Sequence, residues 1–410
     1  MKRNLVKSMS VALLMGGAMT FAACSSDDES VTGNNERKDV ALTRAEQVYV
    51  SQNNDFAFRL LREMQDGQSQ ILSPLGITFT LGMLNNGATG ETQEEINKVL
   101  GFEEAGAEGI NMLCQKLLLE APNLDRKVEL NLANNIFVNK KYQLQPAFVQ
   151  TAQEFYEASP TVCDFSDGTG ALKTINGWVS KQTKGQIDQL LKEVGPDDVF
   201  YIVSAAYFNG MWKDKFSKSE TNQAAFYEGK KYLVQMMHRS GKYYYTESED
   251  FQALSLPYGN EAFSMTVLLP QKGKSLSDML SLLNGGELSL IHSSMKEITV
   301  DVKIPTFETK TDVDLIAIMQ KLGMSKAFTQ EAEFQKLCNV DTEISKFKQS
   351  SRIKVDEEGT EVVSATYISG ERTAFVPQDR VDFHADHPFV YVISEKSTGA
   401  IFFIGSYFGD

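Results

Sequence analysis

The sequence predicts an α+β fold in a single domain, because helical and strand-like apolar patterns alternate along it without an internal polar linker. Apolar or uncharged side chains recur every fourth residue early in this domain, at Val48, Gln52, Phe56, Leu60 and Met64. This spacing places them on one face of a helix. A β-rich apolar run covers 199–208 and is long enough for a central strand. Two later runs, 389–394 and 400–407, are apolar on both faces, as strands inside a sheet are.

Local signals predict the remaining elements. Ser73 and Pro74 supply the cap and first turn of a second helix. Its body, 75–84, is apolar nearly all round and is therefore expected to be buried. A third helix starts at Thr89 or Glu91 and runs over 94–100. Further predictions are strands over 128–138, 251–257 and 263–269, the last two joined by a turn at 258–261, and a helix over 312–322.

Charge and cysteine content exclude several functions. The 410-residue chain has a formal net charge of -14, whereas nucleic-acid binding requires a basic surface. None of the four cysteines lies in a CxxC pair, so no zinc site is predicted from them. We interpret Cys114, Cys163 and Cys338 as buried thiols that behave like small apolar residues.

Enzyme motifs are absent from the sequence. It contains no HExxH, no GxSxG and no phosphate-cradling glycine loop. The segment His384-Ala385-Asp386-His387 has metal-ligating residue types, but it lies between two predicted strands. We predict neither a metal nor a cofactor, and we do not expect the chain to be an enzyme.

The amino terminus carries an export signal. Basic residues in the first seven positions precede an apolar stretch, 11–21, that is too short to span a bilayer. Phe21-Ala22-Ala23-Cys24 resembles the lipobox of bacterial lipoproteins, which implies cleavage before Cys24 and acylation of its thiol, for example with palmitate. The alternative is an ordinary signal peptide with an incidental cysteine.

The acidic run that follows, 25–29, resembles a tag that directs some bacterial lipoproteins to the outer surface. We therefore expect a signal peptide over 1–23, a flexible polar tether over 24–43 and a folded domain over 44–410. The expected location is the outer membrane, exposed at the cell surface and held there by lipid after export across the inner membrane.

From about residue 44 to the end, the sequence resembles the serpin family of serine protease inhibitors. The matching segments, in family order, are Ser73-Pro74, LNNGATGET at 84–92, AAYFNGMW at 205–212, LPYG at 256–259, VLLP at 267–270, VDEEGTE at 355–361, DHPF at 386–389 and FFIG at 402–405. The resemblance implies about nine helices around three β-sheets, an exposed reactive-centre loop over about 359–379, and a monomer.

The resemblance also implies a mechanism. A serine endopeptidase, elastase-like or trypsin-like, attacks the loop and forms an acyl-enzyme. The front half of the loop then enters the main sheet as a new strand, in the manner of strand addition. Insertion moves the covalently attached protease to the far end of the molecule. This distorts its catalytic triad and oxyanion hole, which it needs for deacylation. The chain would contribute no catalytic residue, and the same trap could act on cysteine proteases.

The loop hinge meets the physical demands of strand entry. Its residues are Glu358, Gly359, Thr360, Glu361, Val362, Val363, Ser364 and Ala365. No proline occurs over 359–376, and proline is excluded from a sheet centre. With Thr360 inward, the buried face continues through residues 362, 364 and 366, none of them charged, while Glu361 stays outward. Inhibitory members usually have an alanine-rich hinge, so the bulk of Val362 and Val363 could slow entry and turn an inhibitor into a substrate.

The family count of fourteen residues beyond Gly359 places the reactive bond at Thr373–Ala374. An elastase-like protease would cut there, because Thr373 is small. The alternative is Arg372–Thr373, which suits the carboxylate in a trypsin-like specificity pocket. Phe375 offers a third bond to a chymotrypsin-like enzyme.

Four further positions correspond to the region where the family's sheet opens. They are Trp212 at the breach, where the loop first enters, and Ser73, Ser204 and Gln349 in the polar shutter below it. Ser204 stands where the family usually has Asn, and Gln349 where it has His. This paired change implies an alternative set in which Gln349 is both donor and acceptor toward serine. A role for Trp212 as a plain core aromatic is equally open.

Three functions remain. The first is an inhibitory serpin on the cell envelope, and the second is a non-inhibitory serpin that acts as a protease substrate or binding module. The third, far behind, is a hydrolase or a sugar-handling lipoprotein. A covalent complex with a protease that survives denaturing electrophoresis separates the first from the second.

Overall fold

The computed structural model describes residues 35–228, 230–360 and 380–409. The predicted signal peptide, Cys24 and the first part of the predicted tether lie outside the described residues. So do the hinge from Glu361 onward and every candidate for the reactive bond, from Arg372 to Phe375. Those assignments stay predictions.

Nine α-helices occur in the described residues, as the family resemblance predicted. They are α1 Arg44–Met64, α2 Pro74–Asn85, α3 Gly90–Leu100, α4 Gly106–Glu120, α5 Pro146–Tyr156, α6 Gly168–Gln182, α7 Leu276–Leu282, α8 Gly285–Ser294 and α9 Ile316–Leu322. Short 3₁₀ helices cover Ala121–Asn123, Lys218–Glu220 and Lys326–Phe328. Within the described ranges, no helix combines the length and the apolar character needed to cross a bilayer.

Fifteen strands complete the described secondary structure. They are β1 Gln70–Leu72, β2 Val128–Asn139, β3 Thr161–Cys163, β4 Phe200–Met211, β5 Asn222–Glu228, β6 Lys230–Glu247, β7 Phe251–Pro257, β8 Phe263–Pro270, β9 Lys296–Pro305, β10 Phe307–Asp314, β11 Lys348–Val355, β12 Gly359–Thr360, β13 Val381–His384, β14 Phe389–Glu395 and β15 Ile401–Tyr407. Together with the helices they confirm the α+β class.

The larger sheet has the order β1-β15-β14-β8-β7-β6-β9-β13, and β5 also pairs with β6. Strand β6 is 18 residues long. Its residues 236–245 pair with β9, and its residues 244–247 pair with β7. The family resemblance leads us to expect three sheets. Because β6 pairs with β9 and also with β7, the strands on its two sides join into one sheet, and the described part of the chain has two hydrogen-bonded sheets.

The second sheet has the order β10-β11-β12-β4-β2-β3. The two-residue strand β12 is antiparallel both to β11 and to β4. It follows that β4 and β11, on either side of it, run parallel to each other. The centre of this sheet is therefore a pair of parallel strands linked through one very short strand.

Helix α2 contacts a strand of each of the two sheets. Ser73 caps it by accepting a hydrogen bond from the Gly76 N–H at 3.3 Å, and Pro74 occupies its first turn. Every residue of α2 is buried, and the helix packs against both β4 and β15. The apolar character seen all round in the sequence is thereby explained, and the prediction of a buried second helix is confirmed.

The predicted helix over 312–322 is wrong in its first part. Residues 312–314 form the end of β10, where Asp312 pairs with Ser350 and Val313 with Gln349 of β11. The helix α9 begins only at Ile316. Pairing with a distant strand overrides the local helical pattern here, which is a common outcome for segments with weak intrinsic preference.

The chain packs onto the domain before residue 44. Val40 is 3% exposed, and its N–H donates to the Ser397 hydroxyl at 2.8 Å. The Asn35 amide donates to Asp125 at 2.9 Å. The predicted tether is therefore too long at its carboxyl end, because the short apolar stretch around Val40 is enough to hold the segment against the domain.

Three cysteines in the described residues, Cys114, Cys163 and Cys338, are buried free thiols, as predicted. Burial raises the pKa of the Cys114 thiol far above its ordinary value. This group is therefore protonated at neutral pH and is a packing residue rather than a nucleophile.

Candidate functional site: the hinge and the sheet opening

The described part of the predicted reactive loop begins in β12. On one side Gly359 pairs with Met211 and Thr360 with Gly210 of β4. On the other side Thr360 pairs with Val355 of β11. The first two residues of the predicted reactive loop are thus already part of the six-stranded sheet, between its two parallel central strands.

Thr360 faces the interior of the domain. It is 2% exposed, and its hydroxyl lies 2.6 Å from the Tyr258 hydroxyl. Burial raises the pKa of Tyr258 well above its usual range, so the phenol keeps its proton and can share it in this hydrogen bond. The alternation described for the hinge starts from an inward-facing Thr360, and the structure shows this orientation.

Trp212 holds the segment that leads into the hinge. Its ring stacks on Tyr258, with 4.5 Å between centroids and 11° between planes. Its indole N–H donates to the Asp356 carbonyl at 2.9 Å, and its backbone N–H donates to the Glu358 carbonyl at 2.9 Å. The structure thus places Trp212 at the entry point of the loop, where it does more than fill the core.

Polar contacts from the connection after β4 also hold this segment. The Phe216 N–H donates to the Glu357 carbonyl at 3.0 Å, and the Thr221 hydroxyl donates to the Glu357 carboxylate at 2.7 Å. Lys215 forms an ion pair with Glu358. Sequence reasoning missed these partners, and it treated Tyr258 only as part of a matching strand; no local pattern marks any of them as a hinge contact.

Gly359 is required by close backbone approach. A Cβ atom at this position would lie 2.1 Å from the Gly210 carbonyl oxygen and 2.8 Å from the Met211 Cα. Both neighbours are backbone atoms of β4, so they cannot move aside as a flexible side chain would. A residue with a side chain can occupy this position only if the hinge leaves β4.

We predict that Gly359→Ala releases the hinge from the sheet. The clash should destabilise the docked hinge by about 2 kcal/mol and make exchange of the Trp212 amide roughly thirtyfold faster. Hydrogen exchange of that amide is the measurement, because it donates to Glu358 beside the hinge. Gly177→Ala is the matched control, since a Cβ there meets no atom within 4 Å. Unchanged protection of Trp212 in Gly359→Ala would contradict the argument.

Ser73 and Gln349 form a closed pair of hydrogen bonds beneath the sheet opening. The Ser73 N–H donates to Gln349 Oε1 at 3.1 Å, and Gln349 Nε2 donates to the Ser73 carbonyl at 2.9 Å. The predicted double role of Gln349 is therefore present, but on the main chain of Ser73. The Ser73 hydroxyl is used elsewhere: it caps α2 and donates to the Phe402 carbonyl at 3.0 Å.

Ser204 lies beside this pair on β4. A Cβ built on Gly76 would be 3.1 Å from both the Ser204 and the Ser73 hydroxyl oxygens, so the two hydroxyls flank the first turn of α2. Asn134 of β2 is directly opposite Ser204. Both polar atoms of the Asn134 side chain are buried without a partner among the described residues. Sequence reasoning missed Asn134, although a polar residue inside the alternating run 128–138 was the available signal.

We predict that Gln349→Ala lowers the thermal midpoint of the intact protein. The change removes two buried hydrogen bonds and leaves the Ser73 N–H unsatisfied, at a cost of about 1–3 kcal/mol, whereas the Ser73 carbonyl still accepts from the Ile77 N–H at 3.2 Å. Differential scanning calorimetry measures the shift. Gln335→Ala is the control, since Gln335 accepts a single exposed bond from Thr89, and a change there should stay within about 0.5 kcal/mol. Equal midpoints for the two variants would refute the role given to Gln349.

Comparisons with known proteins agree with this geometry. The family model described as serpin (serine protease inhibitor) matches residues 51–409. A leukocyte elastase inhibitor of Bos taurus is 33% identical over 365 residues, covering 85% of this chain and 95% of the relative.

Two solved structures are similar over nearly their whole length. The native state of the thermophilic serpin tengpin has a TM-score of 0.83 at 25% identity and covers 90% of this chain and 96% of its own. Human thyroxine-binding globulin has a TM-score of 0.80 at 26% identity and covers 88% of this chain and 98% of its own. The family match and the bovine relative lead to one conclusion: the chain belongs to the serpin family.

Proposed function

We propose that this chain is an irreversible inhibitor of serine-type endopeptidases, which traps the acyl-enzyme by inserting its cleaved loop between β4 and β11. The observation that carries the proposal is the docked hinge. A strand that begins at Gly359 is already hydrogen-bonded on both sides, in the antiparallel sense, to two parallel strands. One strand that is antiparallel to both can pair with two parallel neighbours at once, and the loop is the segment that continues from this position.

The register of β12 indicates which positions an inserted loop would meet. Counting on from Thr360, residue 362 falls between Phe208 and Ile353, and residue 364 falls between Ala206 and Ser351. Residue 366 falls between Ser204 and Gln349. The inward face of the inserted strand would then carry Val362, Ser364 and Thr366.

In this register an apolar loop residue meets apolar residues of β4 and β11, and a polar loop residue meets polar ones. Val362 would extend the core formed by the buried Phe208 and Ile353. Thr366 would bring a hydroxyl to Ser204 and Gln349, one strand away from the unpartnered amide of Asn134. Hydrogen bonds gained by buried polar groups add to the drive for insertion.

The proposed chemistry belongs to the protease. Its serine attacks the loop and forms an ester with the new carboxyl end, while the amine end departs. Insertion then moves the tethered protease before water can attack the ester. This chain supplies the bait and the free energy of strand addition. It supplies no catalytic group, in keeping with a family of protease inhibitors that are not enzymes in the usual sense.

We propose that the reactive bond is Thr373–Ala374, with Arg372–Thr373 as the alternative and Phe375 as a third site. Thr360 then stands thirteen positions before the cut residue. The bovine relative is described as an elastase inhibitor, and a small residue such as Thr373 suits that class of protease. Mass spectrometry of the cut loop identifies the bond.

A non-inhibitory role is the second candidate function. Thyroxine-binding globulin, whose structure is similar, is described as a complex with thyroxine. Val362 and Val363 also replace the small residues usual in inhibitory hinges, and their bulk would slow entry. In this case the loop would be cut without trapping the protease.

Incubation with an elastase and with trypsin decides between the two candidates. We expect a covalent adduct of the chain and the protease that survives denaturing electrophoresis, together with loss of protease activity. Catalytically inactive protease, with its serine replaced, is the control and should give no adduct. Quantitative cleavage with full recovery of protease activity would exclude inhibition and favour the second function.

We also propose that Cys24 anchors the protein in the outer membrane through lipid, with the domain exposed at the cell surface as a monomer. The support is the lipobox-like segment before Cys24 and the polar residues after it. Cys24→Ala should move the protein from the membrane fraction to the soluble fraction and abolish incorporation of labelled palmitate. Retention in the membrane fraction would refute the anchor.

A further inference from the structure

Asp301 is a buried carboxylate beside the strand that follows the predicted reactive loop. Its side chain is 7% exposed and lies on β9. One of its oxygens, Oδ1, is 3.1 Å from His238 Nε2 on β6. The other, Oδ2, is 3.2 Å from His384 Nε2 on β13. Three strands thus bring two imidazoles to the two oxygens of one carboxylate.

Two further charged residues complete the group: Asp382 in β13 and Arg380, which immediately precedes this strand. Asp382 pairs directly with Asp301 across the parallel β9–β13 ladder. Arg380 lies 3.5 Å from Asp301 and 3.8 Å from Asp382, at the long end of ion-pair distances. Positions 380, 382 and 384 alternate along the strand, so their side chains share one side of it.

We propose that Asp301, Asp382 and His384 form a zinc site. Each offers one ligand atom, and these atoms all lie within 4.8 Å of one another. Two carboxylates and one imidazole, with water in the fourth position, are a donor set that zinc accepts in tetrahedral geometry. The proposal concerns a different part of the molecule from the hinge, and it stands whether or not the chain inhibits proteases.

The spacing of the ligand atoms suits this ion. Zinc bonds of about 2.0–2.1 Å in tetrahedral geometry separate two ligand atoms by about 3.3 Å. His384 Nε2 and Asp301 Oδ2 are 3.2 Å apart, close to that value, and are joined by a hydrogen bond, so zinc would take the place of the proton between them. His384 is 33% exposed at its side chain, so an ion can reach it from solvent. The Asp382 oxygen lies within 4.8 Å of the other two ligand atoms and would move closer by up to about 1.5 Å to complete the set.

His238 and Arg380 have separate roles in this arrangement. His238 donates to the oxygen of Asp301 that faces away from His384, and so it orients the carboxylate, as outer partners of metal ligands do. It is a positioning residue. Arg380 neutralises the same two carboxylates that zinc would bind. Its guanidinium therefore competes with zinc for the carboxylates. Its contacts with them are long, so the ion can displace it.

No metal is predicted here from the sequence, and this group is not the segment 384–387 that was considered and set aside above. His384 and His387 are close in sequence, but His387 is engaged elsewhere. Its Nδ1 lies 2.9 Å from Asp386, and its Nε2 donates to the Pro270 carbonyl at 2.9 Å. Only the fold brings His384 next to Asp301, which is 83 positions away in sequence.

Zinc at this position would fasten an edge strand. The four residues of β13 pair with β9 alone and stand at the end of the nine-stranded sheet. The same strand begins immediately after the predicted reactive loop, so the ion would also fix the carboxyl-terminal end of the loop. Because zinc would bind the folded state, it should raise the thermal midpoint of the intact protein.

Calorimetric titration of the purified, tag-free protein with zinc chloride at neutral pH tests the site. We expect one equivalent to bind, and His384→Ala and Asp382→Asn to weaken it by at least about tenfold. Arg380→Gln should strengthen binding, because it removes the competing cation. His387→Gln is the matched control and should leave zinc affinity unchanged. Cobalt in place of zinc should give the visible absorption of a tetrahedral centre, which His384→Ala loses.

The outcomes separate this site from general damage and from the inhibitory function. A gain of affinity in Arg380→Gln cannot arise from misfolding. If zinc binds His384→Ala as tightly as the unaltered protein, or does not bind the unaltered protein at all, the site does not exist. Trapping of an elastase measured in the presence of a chelator tests inhibition independently, so failure of either proposal leaves the other standing.

Discussion

Thr360→Arg should abolish trapping of a protease while leaving cleavage of the loop intact. Thr360 is buried, and its hydroxyl contacts the Tyr258 hydroxyl. Arg at this position should first displace the hinge from the sheet in the intact chain, and insertion of the cut loop would then bury its guanidinium beside a neutral phenol, without a counter-ion in the contacts described. Burying an unpaired charge costs several kcal/mol, and about 3 kcal/mol on the insertion barrier slows insertion roughly hundredfold. Water then reaches the acyl-enzyme first, and the protease escapes.

The measurement is the number of inhibitor molecules consumed per protease molecule inactivated, read together with the adduct on a denaturing gel. Thr360→Ser is the matched control, because it keeps the hydroxyl that faces Tyr258. It should trap the protease almost as well as the unaltered chain. A stable adduct formed by Thr360→Arg with unchanged stoichiometry would show that the loop does not enter the sheet at this position.

Cutting the loop should raise the thermal midpoint of the protein by more than roughly 10 °C. In the intact chain only Gly359 and Thr360 of the loop pair with β4 and β11 in the described residues. After cleavage, the residues that follow can continue the same register and complete two ladders at once. Successive added residues gain backbone hydrogen bonds to β4 and to β11 in turn, and every second side chain covers the inward surface around Ser204 and Gln349.

Calorimetry before and after limited cleavage by an elastase measures this rise. Cleaved Thr360→Arg is the control: its loop is cut but cannot insert, so its midpoint should stay near that of the intact Thr360→Arg variant. The two variants share the same cut and differ only in the inward side chain at the sheet entrance. A cleaved, unaltered chain that melts no higher than the intact one would remove the energetic basis of the proposed trap.

The fold could be predicted from the sequence to a large extent because most of its elements carry a local signal. The buried helix α2 begins at a serine cap and a proline, and the central strands are long apolar runs. The part that failed, 312–314, lacks such a signal and becomes a strand because β11 lies beside it. The segment around Val40 was likewise misassigned, since a short apolar stretch reveals nothing about the surface on which it packs.

The candidate site was predicted less completely, and the reason is the distance along the chain between its partners. The family resemblance indicated the hinge together with Trp212, Ser73, Ser204 and Gln349, and alternation and the absence of proline are consistent with strand entry at the hinge. The contacts that give these residues their roles are remote: Thr360 and Tyr258 are 102 positions apart, and Ser73 and Gln349 are 276 positions apart.

The amino-acid pattern alone was therefore sufficient for the α+β class and for most of its helices and strands, because each depends on periodicity and residue type within a short segment. The three-dimensional fold settled that the hinge is docked between two parallel strands, that Gln349 binds the main chain rather than the hydroxyl of Ser73, and that Asp301 lies against His384. These features depend on which strands become neighbours, and strand order is a property of the packed chain that no short window of sequence contains.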